Sequence, residues 1–228
     1  MILLKYTKTA NAAYLAHLDL MRTFMMAIRR TNLQVNFSSG FNPHMQLYFA
    51  PPLPVGTSSV SEYLVVDSDE CSQKFMLILN DSLPSGVKIL KAAAADKNPN
   101  FAAISRAASY DIKLSKKIKL QDFNTILDSD TLEIEFEQKG VDIKKEVRAN
   151  IFKLEGSGDN YRFTLAAGNK NLRADRLISH LLKTATANCQ DIFISTTKIN
   201  TFTHLPTISP LKQNLSMGEL IDVDELFF

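Results

Sequence analysis

Two histidines, His17 and His44, are the side chains of this chain best suited to moving protons at neutral pH. A pair of imidazoles flanking one phosphate would serve as general acid and general base, and the same pair with Asp19 or Glu62 would ligate a metal. The metal reading is the weaker one, because on a regular helix Asp19 points well away from His17. His17 also falls inside an apolar helical arc, where a half-buried, hydrogen-bonded core histidine is the competing reading. Arg22, Arg29 and Arg30 give the same helix a cationic side whose guanidinium forks suit phosphate, or else a plain solvated face. Ser39, Gly40 and Asn42, next to Ser38, offer hydroxyl, backbone and amide donors to an anion, or form a self-satisfied turn. Phe41, Tyr48 and Phe49 stand ready to stack on bases or to fill space beside prolines.

What would position these groups is residues 38–56. This stretch holds Pro43, Pro51, Pro52 and Pro54, out of 8 prolines in the chain, and two of its 8 glycines, Gly40 and Gly56. Each proline fixes φ and withholds a backbone donor, while the glycines reach conformations closed to other residues, so the path of the loop is specified almost residue by residue. Such stiffness suits a surface built to hold something.

The surrounding pattern predicts a strand over 2–7, a helix over 16–31, short strands at 35–37 and 46–50, a strand over 62–67, a helix over 72–83 and a strand over 87–92. On the first helix Tyr14, Leu18, Met21, Phe24, Met25 and Ile28 fall on one arc, taken to face a sheet. The order strand, helix, strand, strand, helix, strand is the split βαβ pattern of a ferredoxin-like domain. It recurs as a strand over 110–114, a short helix over 120–127, a strand over 131–137 with Glu133, Glu135 and Glu137 on its solvated side, a hairpin 147–154/161–166 across Gly156-Ser157-Gly158-Asp159, a helix over 173–184 and a strand over 192–202. The expected architecture is therefore α+β, two ferredoxin-like domains in tandem: 1–97, a linker at 98–107, 108–205, and an acidic tail at 206–228.

Composition narrows the function classes. With 228 residues, 45% of them hydrophobic, the chain can bury a real core. Its net charge of +2 divides unevenly: residues 1–120 carry 14 Lys and Arg against 8 Asp and Glu, residues 121–228 carry 12 against 16. A weakly basic first half permits nucleic-acid contact without requiring it. Cys71 and Cys189 form no disulfide framework and read as reduced thiols of a cytoplasmic protein. No apolar run approaches the roughly 20 residues of a membrane span. A Gly-rich phosphate loop, a dinucleotide fingerprint and a nucleophile elbow are all missing, so no cofactor is signalled.

The blocks Tyr14-Leu15-Ala16-His17-Leu18-Asp19-Leu20-Met21-Arg22, Ala27-Ile28-Arg29-Arg30, Ser39-Gly40-Phe41-Asn42-Pro43-His44, Phe49-Ala50-Pro51-Pro52-Leu53-Pro54-Val55-Gly56 and Glu62-Tyr63-Leu64 resemble the DUF2344 family of radical SAM-associated proteins. Beyond residue 67 the resemblance rests mainly on Asn171-Leu172-Arg173. It implies a chain that works beside a B12-binding-type radical SAM protein, often encoded near ribonuclease G and ribosomal proteins, and it assigns no molecular activity. The chain departs from the family at Ala16, usually Ser, at Met26, usually Arg, at Met45-Gln46, usually Pro-Lys, and at Val65, usually Asp. Two cations of a family anion site are thus absent, which leaves His17, Arg22, Asn42 and His44 as the subset carried over. The two-halved architecture is also similar to that of CRISPR repeat-processing endoribonucleases, a likeness of fold that does not establish function.

Together these readings favour a non-catalytic accessory protein that binds RNA or another anionic substrate and presents it to a radical SAM partner. Two cysteines cannot supply the three thiolates that such a partner's cluster needs. The alternatives are a metal-independent endoribonuclease using His17 and His44, and a structural protein-interaction module.

Overall fold

The run Ile2-Leu3-Leu4 lacks the alternation of a half-exposed strand, and in the computed structural model it lies in β1 (Ile2–Lys8), an inner strand buried on both faces. The structure describes residues 1–120, 123–138, 140–185, 191–204 and 216–228. They divide into two compact units, the first comprising Met1–Ser105 with Asp222–Phe228, the second Arg106–Ile221. Both are mixed α+β, built on antiparallel strands.

In the first unit β1 is followed by α1 (His17–Arg29), β2 (Leu47–Phe49), β3 (Ser58–Val66), α2 (Ser72–Ser82) and β4 (Ile89–Ala94). The strands lie in the order β4-β1-β3-β2, every neighbour antiparallel. Residues 35–37, expected as a strand, contribute only the single bridge Phe37–Met45. One face of the sheet carries Ile2, Leu4, Tyr6, Leu64 and Val66 under Leu20, Phe24 and Ile28 of α1 and Phe75 and Leu79 of α2. The buried stripe of α1 is Leu20, Phe24, Ala27 and Ile28; it shares Phe24 and Ile28 with the expected arc, and is displaced toward Leu20 and Ala27. Tyr14 and Leu18 are exposed. The cause is local: Tyr14 belongs to a separate 3-10 turn, Ala10–Tyr14, so its angular position does not carry into a helix that starts at His17.

The other face buries Leu3, Tyr63 and Val65 against Phe101 of α3 (Phe101–Ile104), inside the stretch expected as a linker. Val223 joins them from the far end of the chain. Residues 206–215 of the expected acidic tail lie outside the described residues. Asp222–Phe228, by contrast, packs into the first unit. Its Phe227 ring sits edge-on to Phe101 at 5.5 Å and Phe228 lies 6.1 Å from Tyr63, so two terminal aromatics find a partner face that the acidic composition concealed.

The second unit runs β5 (Ala107–Leu114), α4 (Phe123–Asp128), β6 (Glu133–Gln138), β7 (Val141–Glu146), β8 (Ile151–Ser157), β9 (Asn160–Ala166), α5 (Ala174–Ala185) and β10 (Ile194–His204). Its sheet order is β10-β5-β9-β8. Setting aside β6 and β7, which pair only with each other, this repeats the connectivity and strand order of the first unit. Arg176 of α5 places its guanidinium 3.7 Å from the centre of the Phe136 ring, which holds the β6–β7 hairpin to the helix. No helix among the described residues is long and apolar enough to cross a membrane.

Candidate functional site

The two histidines have different surroundings. Met45, Leu47 and Phe49 turn toward the core under α1, and His44, Gln46 and Tyr48 turn the other way. His17, the first residue of α1, is half-buried with its ring edge-on to Phe49 at 5.7 Å, and Phe49 in turn meets Phe24 at 5.6 Å. His17 is therefore the rim of an aromatic cluster. His44 is exposed, its Nδ1 2.9 Å from Ser38 Oγ. The structure does not bring the two imidazoles to one phosphate.

The three arginines also disperse. Arg22 is exposed and donates to Asp19 at 3.2 Å one turn earlier. Arg30 donates to the Ser82 carbonyl at 2.7 Å, satisfying an acceptor at the C-terminal end of α2. Arg29 is exposed and makes no ion pair among the described residues. The carboxylates weighed as metal ligands are engaged elsewhere, Asp19 with Arg22, and Glu62 buried, accepting from Ser59 Oγ at 2.9 Å. Among the described residues no three His, Cys, Asp or Glu side chains gather as a metal site would.

The braced loop is a finger. At its base the Ser38 amide donates to the His44 carbonyl at 2.9 Å, the His44 amide to Ser38 Oγ at 3.1 Å, and Gln46 Nε2 to the Phe37 carbonyl at 3.1 Å. Tyr48 donates to Gln46 Oε1 at 2.6 Å, completing one connected network along the outward side. Ser39, Gly40, Phe41 and Asn42 form the exposed tip, with Gly40 at φ +132, a conformation side chains rarely adopt. Phe41 is exposed in full, at 107% of its reference area. Beside the base lies a shallow pocket of about 210 Å³ lined by Ser38, Ser39, His44, Gln46 and Tyr48. His17, Arg22 and Asn42 do not line it.

A family model described as an uncharacterized protein conserved in bacteria, DUF2344, matches residues 1–184. The chain belongs to the DUF2344 family. The match covers the finger, α1 and most of the second unit, and stops before α6 (Val223–Phe227). Comparison with curated proteins finds no match.

Outside the DUF2344 match, α6 brings in a cluster that the sequence did not signal. Lys5 sits directly across from Tyr63 on one side and Lys91 on the other, which places the three side chains in a row on one sheet face. Asp224 closes the row, accepting from Lys5 at 2.6 Å, Tyr63 at 2.8 Å and Lys91 at 3.0 Å. Burial would raise its carboxyl, but hydrogen bonds from Lys5, Tyr63 and Lys91 outweigh that and hold it below the usual carboxylate range. Burial pushes Tyr63 far above the ordinary phenol value. The cluster fastens α6. Its one sequence-level trace is Lys5 itself, a cation set between Leu4 and Tyr6 in an otherwise buried run.

Proposed function

We propose that this DUF2344 protein is a non-catalytic accessory of a radical SAM enzyme, holding RNA or another anionic substrate against the outer side of α1 and the finger. Phe41 carries the reading. A fully exposed aromatic ring on a hairpin tied by its own hydrogen bonds can stack on a base with little ordering cost, and base–aromatic stacking contributes about 1–3 kcal/mol. Arg22 and Arg29, exposed two turns apart on α1, are the cations this reading assigns to phosphate. The radical SAM cluster belongs to the partner in this reading, as the resemblance implies. We further read both units as ferredoxin-like, on the shared connectivity and strand order, which makes the chain a tandem of that fold.

The ribonuclease alternative has less support, because His17 meets Phe49 while His44 bonds Ser38 and lines a pocket that does not include His17. A protein-interaction module keeps some, since Tyr14, Leu18 and Val55 are exposed near the start of α1.

Binding of single-stranded RNA to the full chain at low salt tests the leading reading. Phe41→Ala is expected to weaken it about tenfold or more, and Arg22→Ala to weaken it and flatten its salt dependence. No binding at low salt overturns the proposal; capture of a radical SAM protein unaffected by nuclease and by Arg22→Ala favours the interaction module instead.

A further inference from the structure

We propose that the second unit contains a separate nucleotide-binding cavity, taking a planar ring joined to a phosphate, between the segment 117–120, α4 and the β8–β9 turn. The cavity measures about 680 Å³, within the range of small-molecule sites. Phe123, Tyr161, Leu120 and Leu154 give it an apolar body, with the Phe123 and Tyr161 rings edge-to-face at 5.8 Å. Lys117 and Lys119 line it, and among the described residues no aspartate or glutamate does. Both lysines are exposed, and neither makes an ion pair among the described residues. An apolar, aromatic pocket bordered by two lysines suits a molecule with an apolar ring and an anionic end.

The lysine segment is held in place by main-chain bonds. The Ile118 amide donates to the Gly158 carbonyl at 2.8 Å, the Tyr161 hydroxyl donates to the Ile118 carbonyl, and the Leu114 amide donates to the Asp159 carbonyl at 2.8 Å. Tyr161 is thereby committed as a positioning residue: its hydroxyl ties both the lysine segment and, at 3.3 Å, the Gly158 carbonyl of the turn. Gly158 takes φ +70, and a Cβ there would lie 3.9 Å from Lys117 Cγ, so the turn and the cation are neighbours. A preformed apolar wall with anchored cations lowers the ordering cost of capturing a phosphate.

The inference is independent of the finger and of α1. Its test is titration of the full chain with uridine and adenosine 5′-monophosphate, with inorganic phosphate, and with a 5′-phosphorylated RNA decamer, each against Lys117→Ala/Lys119→Ala and Phe123→Leu. The expected result is binding that the lysine pair weakens about tenfold or more and that Phe123→Leu, which keeps apolar bulk without the ring, also weakens, with the melting temperature unchanged. Mononucleotide binding of that kind identifies a free nucleotide; binding confined to the decamer, with the same losses, identifies a strand end. Arg22→Ala leaves mononucleotide binding unchanged, which keeps this site distinguishable from the finger. Absence of binding by every probe up to about 1 mM, or binding untouched by both variants, overturns the proposal.

Discussion

Asp224 makes three charge-assisted contacts from a helix of five residues, so the docking of α6 rests heavily on one carboxylate. Replacing it with Asn keeps the shape and removes the charge. Lys5 and Lys91 then share a partly buried row with no anion, and a fully buried broken pair costs about 3–5 kcal/mol; with Lys91 half-exposed, about 2 kcal/mol is expected, read as a lower melting temperature. The pH dependence has a definite sign. The native carboxyl titrates below its unfolded value of about 3.9, so its contribution is complete above that pH and is lost as pH falls through the lowered native value. Stability measured from pH 7 downward should therefore stay level on this account until about pH 4 and then decline, and Asp224→Asn should remove that part of the decline. An Asn variant with the same acid limb as the native chain would dismiss the cluster as the fastening of α6.

Among the elements, α1 shows most clearly what periodicity conveys and where it stops. Its extent and amphipathic character are legible, because Leu20, Phe24, Ala27 and Ile28 recur at helical spacing. Its phase is not, because the chain enters through a 3-10 turn that interrupts the count. The cap is legible too: Ala16 occupies the N-cap with extended backbone, φ −68 and ψ 160, and offers no side-chain acceptor to the free amides of the first turn. Ala16→Ser restores that acceptor, and is expected to add about 1 kcal/mol, or roughly 2–4 °C in melting temperature. The opposite effect is expected at Gly86. Its carbonyl accepts the Thr9 amide at 2.8 Å, tying the end of β1 to the α2–β4 connection, and its φ is +88. A Cβ there would stand 2.2 Å from the Thr9 carbonyl oxygen, a backbone atom that cannot swing aside. Gly86→Ala should cost about 2 kcal/mol or more by thermal or urea unfolding, and a neutral result would mean that this connection can be rebuilt around the side chain.

Across the whole molecule, much of the order of strands and helices could be read from alternating strand and helix periods, while three features could not. The partner of β6 is one: in β7 only Val141 and Ile143 alternate with exposed Asp142, Lys144 and Glu146, an apolar side too short to mark a strand. The different partners of His17 and His44 are another, Phe49 for one and Ser38 for the other, since residue spacing does not say which neighbours each will meet. The third is the return of Asp222–Phe228 to the first unit, a contact between chain ends that no local pattern encodes. That return packs on the sheet face bearing Leu3, Tyr63 and Val65 beside Phe101 of α3, an apolar surface that would otherwise be more open to water. Deleting residues 222–228 is accordingly expected to raise binding of a hydrophobic dye and to speed hydrogen exchange at the amides of Leu3, Tyr63 and Val65. Phe227→Ala/Phe228→Ala provides a milder version that keeps the backbone of α6; each ring is only part-buried, so about 1–2 kcal/mol apiece is expected, below the roughly 3–5 of a core Phe→Ala. Unchanged exchange at those three amides in both variants would show that the face is protected by something other than α6 and its two phenylalanines.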